Sequence, residues 1–457
     1  MIKIRTCLWP PVLVWLCNDE FLVFNLELAP ITRGLLLMTN DLLFEGQSAP
    51  AYSRTLANDN ALSSNTDYDI SDEYIRSLGP AIPVPILNPG RLEKRAREFT
   101  AAFTGQALYA VKCNPDPIFL QAMYEGGVRR FDVASIGEVR LIKNMFPDAK
   151  IYFMHPIKAP EAIREAYYEH GVRAFVLDYA GELDKILFET NAAPDLELFV
   201  RMAVPKNKPG GGVATDFSRK FGAKPDLASE LLLLCRPYCT KLGLSFHVGT
   251  QCPDPQIYAK ALKWAAKVIE NSSVKVEALD IGGGFPADLG GVEKIPPITT
   301  FTKTIAQAVK KQKLETLELL CEIGRGLVAC AGSLVVRVEG RKDDLLYLND
   351  GTYGGLFEAG GAIGLPYPAH LIRKTDRDFE GTIQPFRFAG PTCDSVDMMN
   401  GPFMLPSDVQ VGDWIRIEQL GAYSEVSRTD FNGFGTVQKI IVQNELSGEK
   451  AVQALQI

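Results

Sequence analysis

The chain has 457 residues, with 48 lysines and arginines against 55 aspartates and glutamates and a formal net charge of −7. This length accommodates two or three domains, or one large barrel with an appendage. No basic patch dominates, which argues against nucleic acid as a partner. The nine cysteines form no Cys-x-x-Cys pair and do not cluster with the four histidines. This pattern predicts reduced thiols in a cytoplasmic protein and no metal site.

Residues 1–37 carry the apolar run Cys7–Cys17, which two prolines interrupt. The run weakly imitates a signal peptide but lacks a small-residue cleavage site, and it is too short to span a membrane. A polar run begins at Met38, where we expect translation to start. Residues 1–37 are therefore predicted to be a dispensable extension, and residues 38–78 a flexible lead-in. No membrane partner is expected.

From residue 107, short β-branched or aromatic runs alternate with amphipathic stretches such as Pro160–Glu169 and Ile257–Glu270. The predicted strands are Ala107–Val111, Arg130–Ala134, Lys150–His155, Ala174–Asp178, Leu196–Met202, Leu242–Val248, Glu277–Ile281 and Leu317–Ile323. Such alternation implies right-handed crossovers and a parallel sheet. Eight units predict an α/β fold with a closed (β/α)₈ barrel of TIM type at residues 79–330. An open, doubly wound sheet is the alternative.

Residues 331–457 show a different pattern, typical of an antiparallel β domain. Its predicted strands are Ser333–Glu339, Leu345–Leu348, Thr382–Phe388, Trp414–Glu418 and Val437–Gln443. Three dense motifs lie between them: Asn349–Gly354, Gly390–Ser395 and Gly421–Ser424. A simple β domain has little structural use for the Cys-Asp pair in the second motif.

Polar residues collect just after the barrel strands, where barrel enzymes place their chemistry. They are Lys112, Asp132, Glu138, His155, Arg201, His247, Gly282–Gly284, Glu322 and Arg325. Packing alone does not account for so many.

Lys112 ends an apolar run and precedes a proline turn. A buried lysine is costly unless it is neutral, paired or covalently used. Burial lowers its pKa, which suits an amine that forms a Schiff base with an aldehyde cofactor. The glycines of Gly282–Gly284 allow close approach to a phosphate, and Arg325 adds a cation. No Gly-x-x-x-x-Gly-Lys-Ser/Thr motif indicates nucleotide hydrolysis.

The motifs together resemble the fold-type III pyridoxal-phosphate decarboxylases, the group of ornithine, diaminopimelate and biosynthetic arginine decarboxylases. The resemblance runs from about residue 80 to the C-terminus and covers Tyr109–Pro115, Phe131–Ser135, Ser245–Gly249, Asp280–Pro286 and Gly390–Ser395. The last motif, with Phe431–Phe434, is most similar to the ornithine decarboxylase branch. Ile323 stands where the family usually has proline, and Thr250 where serine is common.

The resemblance implies pyridoxal 5′-phosphate (PLP) as cofactor and assigns its contacts. Lys112 would hold it as a Schiff base, Glu322 would pair with the ring nitrogen, and His247 would stack on the ring. Arg201 would lie on the ring-nitrogen side, while Asp132 and Glu138 would tune the lysine end. The phosphate would be bound by the remaining residues, which are Gly282, Gly283, Gly284, Thr250, Gly324, Arg325 and Tyr423.

The resemblance also implies roles toward substrate. Cys393 would protonate the substrate carbon, Asp394 would meet the distal amine, and Tyr353 would line the pocket. Family members carry a second acid near Gly361–Ala362, and Glu358 is expected to replace it. A homodimer with composite sites is implied.

The leading interpretation is decarboxylation of L-ornithine to putrescine in polyamine synthesis. The alternatives are a lysine/ornithine dual enzyme, a lysine, arginine or diaminopimelate decarboxylase, a non-catalytic regulatory homologue, and a racemase. His155 and His370 match no motif and are interpreted as structural.

Overall fold

The computed structural model describes residues 16–17, 20–21, 70–205, 220–290, 294–375, 381–443 and 451–456, and it divides into two compact units. In the first unit, residues 1–64, β1 (Leu16–Cys17) and β2 (Glu20–Phe21) pair antiparallel. The rest of the predicted extension and most of the predicted lead-in lie outside the described residues. Among the residues that are described, no helix has the length and apolar character needed to cross a bilayer.

The second unit opens with a helix that the sequence pattern did not predict. α1 (Asp72–Leu78) begins after Ser71, whose hydroxyl accepts a hydrogen bond from the Tyr74 N–H at 3.2 Å. Such an N-cap satisfies a backbone donor that would otherwise lack a partner. Ile75 is fully buried in an apolar cluster with residues of the C-terminal sheet. The expectation of a flexible lead-in is therefore wrong for residues 72–78.

A closed barrel of eight parallel strands forms the centre of the second unit, after β3 (Val84–Leu87) and α2 (Pro89–Ala102). Its strands are β4 (Gln106–Ala110), β5 (Arg130–Val133), β6 (Lys150–Phe153), β7 (Ala174–Leu177), β8 (Glu197–Met202), β9 (Lys241–Phe246), β10 (Ala278–Asp280) and β11 (Glu318–Ile323). The helices are α3 (Pro117–Glu125), α4 (Ile136–Met145), α5 (Pro160–Tyr168), α6 (Ala180–Glu189), α7 (Pro225–Cys235), α8 (Gln256–Ser272), α9 (Ile298–Lys311) and α10 (Arg325–Val328). Pairing of β11 with β4 closes the ring, which confirms the predicted (β/α)₈ barrel.

The barrel interior separates apolar from charged side chains. An apolar cluster fills it: Leu108, Tyr152, Met154, Ala174, Val176, Phe199, Ala278 and Leu320. Buried Asp132, Arg201, Asp280 and Glu322 lie within or at the ends of four strands, and parallel strands bring their carboxyl ends to one rim. The first barrel strand begins and ends one residue earlier than predicted. It ends at Ala110, and Lys112 stands on the 3₁₀ turn Val111–Cys113 that follows.

A second, mainly antiparallel sheet follows the barrel, as predicted. Its further strands are β12 (Gly332–Lys342), β13 (Leu345–Leu348), β14 (Ala369–Ile372), β15 (Ile383–Ala389), β16 (Met398–Pro406), β17 (Trp414–Ile417), β18 (Gln438–Gln443) and β19 (Ala451–Gln456). The strand order is β16-β15-β13-β12-β3-β18-β19, and β17 pairs with both β12 and β14.

Two features of this sheet differ from the prediction. β13 pairs parallel with β15, and β18 pairs parallel with β3. β3 falls in the range predicted for the barrel, yet Leu87 pairs with Gly332 and places β3 in the second sheet. The second sheet therefore includes chain from before the first barrel strand.

Candidate active site

A cavity of about 210 Å³ opens at the carboxyl ends of the barrel strands. Most of the residues predicted to bind the cofactor line it: Lys112, Asp132, Arg201, His247, Thr250, Gly283, Gly284, Glu322, Gly324, Arg325 and Tyr423. The other predicted site residues do not line it: Gly282, Glu138, Tyr353, Glu358, Cys393 and Asp394. A concave site with several convergent charged groups is the first candidate for an active site.

Lys112 stands on a single 3₁₀ turn, Val111–Cys113, directly after β4. The Tyr423 N–H donates to the Cys113 carbonyl at 2.9 Å, so a loop of the C-terminal domain holds this turn. The Lys112 Nζ lies 3.3 Å from Asp132 Oδ2.

The charge state of Lys112 differs from the expectation of a lowered pKa. The Lys112 side chain is 46% exposed, toward the cavity. Its partial removal from water lowers the pKa of the amine, but the Asp132 and Glu322 carboxylates outweigh this effect and hold that pKa above its usual value. Burial also raises the pKa of Asp132 to about 6, although the Lys112 charge opposes this. The amine is therefore a cation beside a carboxylate, and Asp132 is the base placed to take its proton.

A hydrogen bond decides the tautomer of His247, which follows β9. The Gly249 N–H donates to His247 Nδ1 at 2.9 Å, so Nδ1 carries the lone pair and the proton of a neutral ring is on Nε2. Burial, with the charges of Arg201 and Lys112, lowers the pKa of this imidazole well below its usual value. The cavity is therefore lined by a neutral aromatic ring, which suits stacking against a second ring.

Two carboxyl groups are buried on the neighbouring strands β10 and β11. Glu322 Oε1 lies 3.9 Å from Arg201 Nη1 and has no hydrogen-bond partner among the described residues. Asp280 Oδ1 accepts the Gly282 N–H at 2.9 Å, whereas its Oδ2 likewise has no partner among them. Burial, and then the Asp280 charge, raises the pKa of Glu322 to about 8. An unsatisfied buried acceptor is costly, and a ligand N–H in the cavity would relieve it.

Sequence reasoning gave Asp280 no role, although it named the motif that contains this residue. The available signal was its position directly before the glycine run, since a buried acid at a strand end needs a partner.

The run Gly282–Gly284 packs closely against the turn after β9. Gly282 and Gly284 have φ angles of +67° and +99°, which other residues rarely adopt. A Cβ atom on Gly284 would lie 2.3 Å from the carbonyl oxygen of Gly249. Only glycine fits this approach of two backbones, and the backbone of Gly283 and Gly284, which lines the cavity, suits a phosphate.

Arg325 is held by a buried carboxylate. Its Nη1 and Nη2 donate to the two oxygens of Glu358 at 2.7 and 2.5 Å, and the Tyr367 hydroxyl donates to the same carboxylate at 3.0 Å. The expectation that Glu358 binds the distal amine of the substrate is therefore wrong in this structure, where Glu358 pairs with Arg325. The buried Arg325 Nε has no hydrogen-bond partner among the described residues and remains as a donor.

Glu138 belongs to the start of α4. Its Oε2 accepts the Ala134 N–H at 2.6 Å, and its own N–H donates to the Ser135 hydroxyl at 3.3 Å. This resembles the capping box that a Ser-x-x-Glu spacing predicts, with the Glu138 side chain bound to the N–H of Ala134, one residue before the N-cap Ser135. Glu138 acts on the lysine end of the cavity through Ala134, which lines it.

Tyr353, Cys393 and Asp394 form a second cluster, on loops of the C-terminal domain. The Tyr353 hydroxyl donates to Asp394 Oδ2 at 2.5 Å, and this bond lowers the pKa of the Asp394 carboxyl. The Cys393 N–H donates to Asn432 Oδ1 at 3.0 Å, and Cys393 is exposed. The cluster brings together the predicted substrate-binding residues other than Glu358.

His155 was interpreted as structural, but it lines the cavity with Met154 and Phe221. Its ring meets the Phe221 ring edge to face, with centroids 5.4 Å apart. Sequence reasoning missed this wall because no motif marks it. His370 hydrogen-bonds to Asp72 at 3.0 Å and does not line the cavity.

The residues present fit PLP. Lys112 offers an amine to an aldehyde, Glu322 Oε1 offers an unsatisfied acceptor to a ring N–H, and His247 offers a neutral ring. Arg325 Nε and the glycine run offer donors and space to a phosphate. A barrel with this set at its mouth defines the class of PLP-dependent barrel enzymes.

The family model described as pyridoxal-dependent decarboxylase, pyridoxal binding domain, matches residues 89–329. The chain belongs to this family of PLP-dependent decarboxylases, and PLP is its cofactor.

Three known proteins illustrate the similarity. The lysine/ornithine decarboxylase of Selenomonas ruminantium is 29% identical over 395 residues, which cover 83% of this chain and 95% of the relative. The ornithine decarboxylase of Schizosaccharomyces pombe is 31% identical over 364 residues, which cover 75% of this chain and 78% of the relative. The crystal structure of SrLDC in complex with PLP and cadaverine superposes with a TM-score of 0.70 at 26% identity, covering 82% of this chain and 94% of that one.

Proposed function

We propose that the protein decarboxylates L-ornithine to putrescine, as a step of polyamine biosynthesis. The observation that supports this most directly is the Asp394 carboxylate beside Cys393, held by the Tyr353 hydroxyl at 2.5 Å. A fixed carboxylate is a charge-assisted partner for the distal ammonium of a basic amino acid. The similar ornithine and lysine/ornithine decarboxylases support the same substrate class.

The barrel cavity provides the cofactor half of the proposed site. When bound, PLP supplies the electron sink that lets the substrate carboxyl group leave as CO₂. Lys112 holds the cofactor through its amine, and Asp132 takes the proton that this amine must lose. Glu322 accepts a hydrogen bond from the ring nitrogen and keeps that nitrogen protonated, while His247 orients the ring by stacking.

The second cluster provides the substrate half. Asp394 binds the distal ammonium, and Tyr353 fixes the orientation of this carboxylate. The Cys393 thiol gives its proton to the substrate carbon that has lost CO₂. Gly361–Ala362 offers no second acid, so we assign recognition of the distal amine to Asp394.

We further propose that each site is shared between two copies of the chain. Cys393 and Asp394 do not line the cavity that contains Lys112. A two-fold dimer in which each copy extends this cluster toward the partner's cavity brings both halves together twice. The seven cysteines from Cys113 to Cys393 are free thiols, which supports the cytoplasm as the proposed location.

A product assay tests the substrate. The PLP-loaded protein is incubated with ornithine, lysine, arginine or diaminopimelate, and the amine formed is identified. We expect the highest kcat/KM with ornithine. Faster formation of cadaverine would show that lysine, and not ornithine, is the preferred substrate. The absence of any amine product would favour a non-catalytic homologue. Retention of Lys112, Glu322 and Cys393 argues against that second outcome.

A further inference from the structure

Asp280 and Glu322 form a pair of carboxyl groups deep in the barrel mouth. Both are buried, with 0% and 3% of their surface exposed, and they lie on adjacent strands. Asp280 Oδ2 and Glu322 Oε1 are buried without a hydrogen-bond donor among the described residues, and the two carboxyl groups are close enough to act on each other's pKa. Ionised carboxylates only accept hydrogen bonds, so two such groups are favourable neighbours only when a proton lies between them.

The charges around the pair lead to the same requirement. Three acids, Asp132, Asp280 and Glu322, face two cations, Lys112 and Arg201. Lys112 is paired with Asp132 at 3.3 Å, and Arg201 lies 3.9 Å from Glu322. One negative charge would remain buried without a counterion if all three acids were ionised, and such a charge is neutralised by protonation.

The other groups around the pair do not supply that charge. His247 is held neutral by burial and by the nearby cations, as its hydrogen bond from Gly249 also requires. Ser245, on β9 beside Asp280, is uncharged, and its hydroxyl has no hydrogen-bond partner among the described residues. The proton that balances the site therefore belongs to the Asp280–Glu322 pair.

We propose that Asp280 and Glu322 share one proton before the cofactor binds, and that this proton passes to the ring nitrogen of PLP on binding. The acid O–H bond breaks, the ring N–H bond forms, and Glu322 remains as the carboxylate that accepts from it. Asp280 is a positioning residue that holds the proton beside Glu322. The proton transfer rests on the proposed function, which places Glu322 opposite the ring nitrogen of PLP. The shared proton does not depend on it.

Infrared spectroscopy of the protein without PLP tests the shared proton. At about pH 7, between the usual carboxyl pKa and the raised one, wild type should show the C=O stretch of a protonated carboxyl group. Asp280→Asn keeps an acceptor for the Gly282 N–H and gives Glu322 an N–H donor, so the band should disappear. Glu322→Gln should also remove it, whereas Glu230→Gln, which changes an exposed glutamate on α7, should retain it. A band that survives either of the first two substitutions would place the proton elsewhere and overturn the proposal.

Calorimetry tests the transfer. PLP is titrated into wild type and Asp280→Asn in buffers of different ionisation enthalpy, which gives the protons taken up on binding. Any proton that Lys112 releases on binding PLP is released in both proteins, so it cancels when the two proton uptakes are subtracted. The variant should take up about one more proton, because its Glu322 is already ionised. Equal uptake would refute the transfer. Failure of wild type to bind PLP would refute the proposed function, while the infrared result on the shared proton would stand.

Discussion

At the scale of single residues, the chemistry depends on which charges surround Lys112. Its amine is cationic because Asp132 and Glu322 outweigh the effect of burial on its pKa. Asp132 is 20 residues away in the chain, and Glu322 comes from the last barrel strand. A local pattern of apolar residues therefore drew attention to this lysine but predicted the wrong direction for its pKa.

We expect borohydride reduction of the PLP-loaded protein to fix the cofactor to the peptide that contains Lys112. This lysine is the amine that lines the cavity beside a base, which is the arrangement that a nucleophilic lysine needs. Peptide mass spectrometry identifies the modified residue. Lys158 serves as an internal comparison, because its amine is buried against Glu182 at 2.9 Å. Modification of any lysine other than Lys112 would contradict the assignment.

Replacement of Asp394 should mainly raise KM for ornithine. Asp394→Ala removes the carboxylate, and we expect an increase of about a hundredfold if the ion pair is desolvated in the complex. Asp394→Asn should have a similar effect, although it retains an acceptor for the Tyr353 hydroxyl, because the charge is lost. Steady-state kinetics measure both, with exposed Glu339→Gln as the control. An unchanged KM would show that the distal amine is recognised by another group.

The pKa of Glu322 predicts a dependence of stability on pH. The folded protein holds this proton up to about pH 8, whereas an unfolded glutamate loses it near pH 4.3. The unfolded state therefore binds fewer protons in this window, and the stability of the PLP-free protein falls as pH rises through it. Glu322→Gln has no titrating carboxyl group at this position, so its stability does not fall for this reason. Relative to wild type, the variant should gain about 1 kcal/mol or more between about pH 5 and pH 8, since one pKa unit corresponds to about 1.4 kcal/mol.

Urea unfolding at the two pH values measures this difference. Glu230→Gln, which changes an exposed glutamate on α7, should show no such gain. A constant difference between Glu322→Gln and wild type at both pH values would show that the Glu322 carboxyl is not protonated when the protein is folded.

At the scale of secondary structure, short capping contacts position the cavity wall. Ser135 and Glu138 fix the start of α4, and the backbone N–H of Ala134 depends on Glu138 for its hydrogen bond. The sequence contains this Ser-x-x-Glu spacing, so the cap was recognisable before the fold was known. The pairing of β3 with β12 and β18 could not be recognised from the sequence, because no local pattern indicates which sheet a short apolar strand joins.

Glu138→Ala should lower the free energy of unfolding by about 1 kcal/mol, because it leaves the Ala134 N–H without its acceptor. Glu138→Gln retains an acceptor oxygen and should preserve most of the stability. Urea unfolding of the two variants provides the comparison. Equal losses would show that the charge of Glu138, and not its hydrogen bond, stabilises the start of α4.

At the scale of the whole molecule, the shared-site dimer predicts complementation. Lys112→Ala and Cys393→Ala should each be nearly inactive. When the two are mixed and allowed to exchange subunits, half of the dimers are heterodimers, each with one intact site and one doubly altered site. Activity should therefore recover to roughly a quarter of wild type.

The matched control mixes Lys112→Ala with Glu322→Gln, because both residues line the same cavity and no heterodimer then contains an intact site. Native mass spectrometry establishes that the subunits have exchanged. Exchange without recovery in the Lys112→Ala and Cys393→Ala mixture would place Lys112 and Cys393 of one subunit in the same site.

The sequence by itself determined the barrel, the second sheet and most of the residues that line the cavity. It could do so because strand periodicity and the placement of polar residues after strands are local properties of the chain. The tertiary structure decided what depends on distant partners. The pairing of Glu358 with Arg325, the place of His155 in the cavity wall and the burial of Asp280 and Glu322 on adjacent strands join groups from different elements. Charge and hydrogen bonding act through space, so their outcome appears only when the fold brings those groups together.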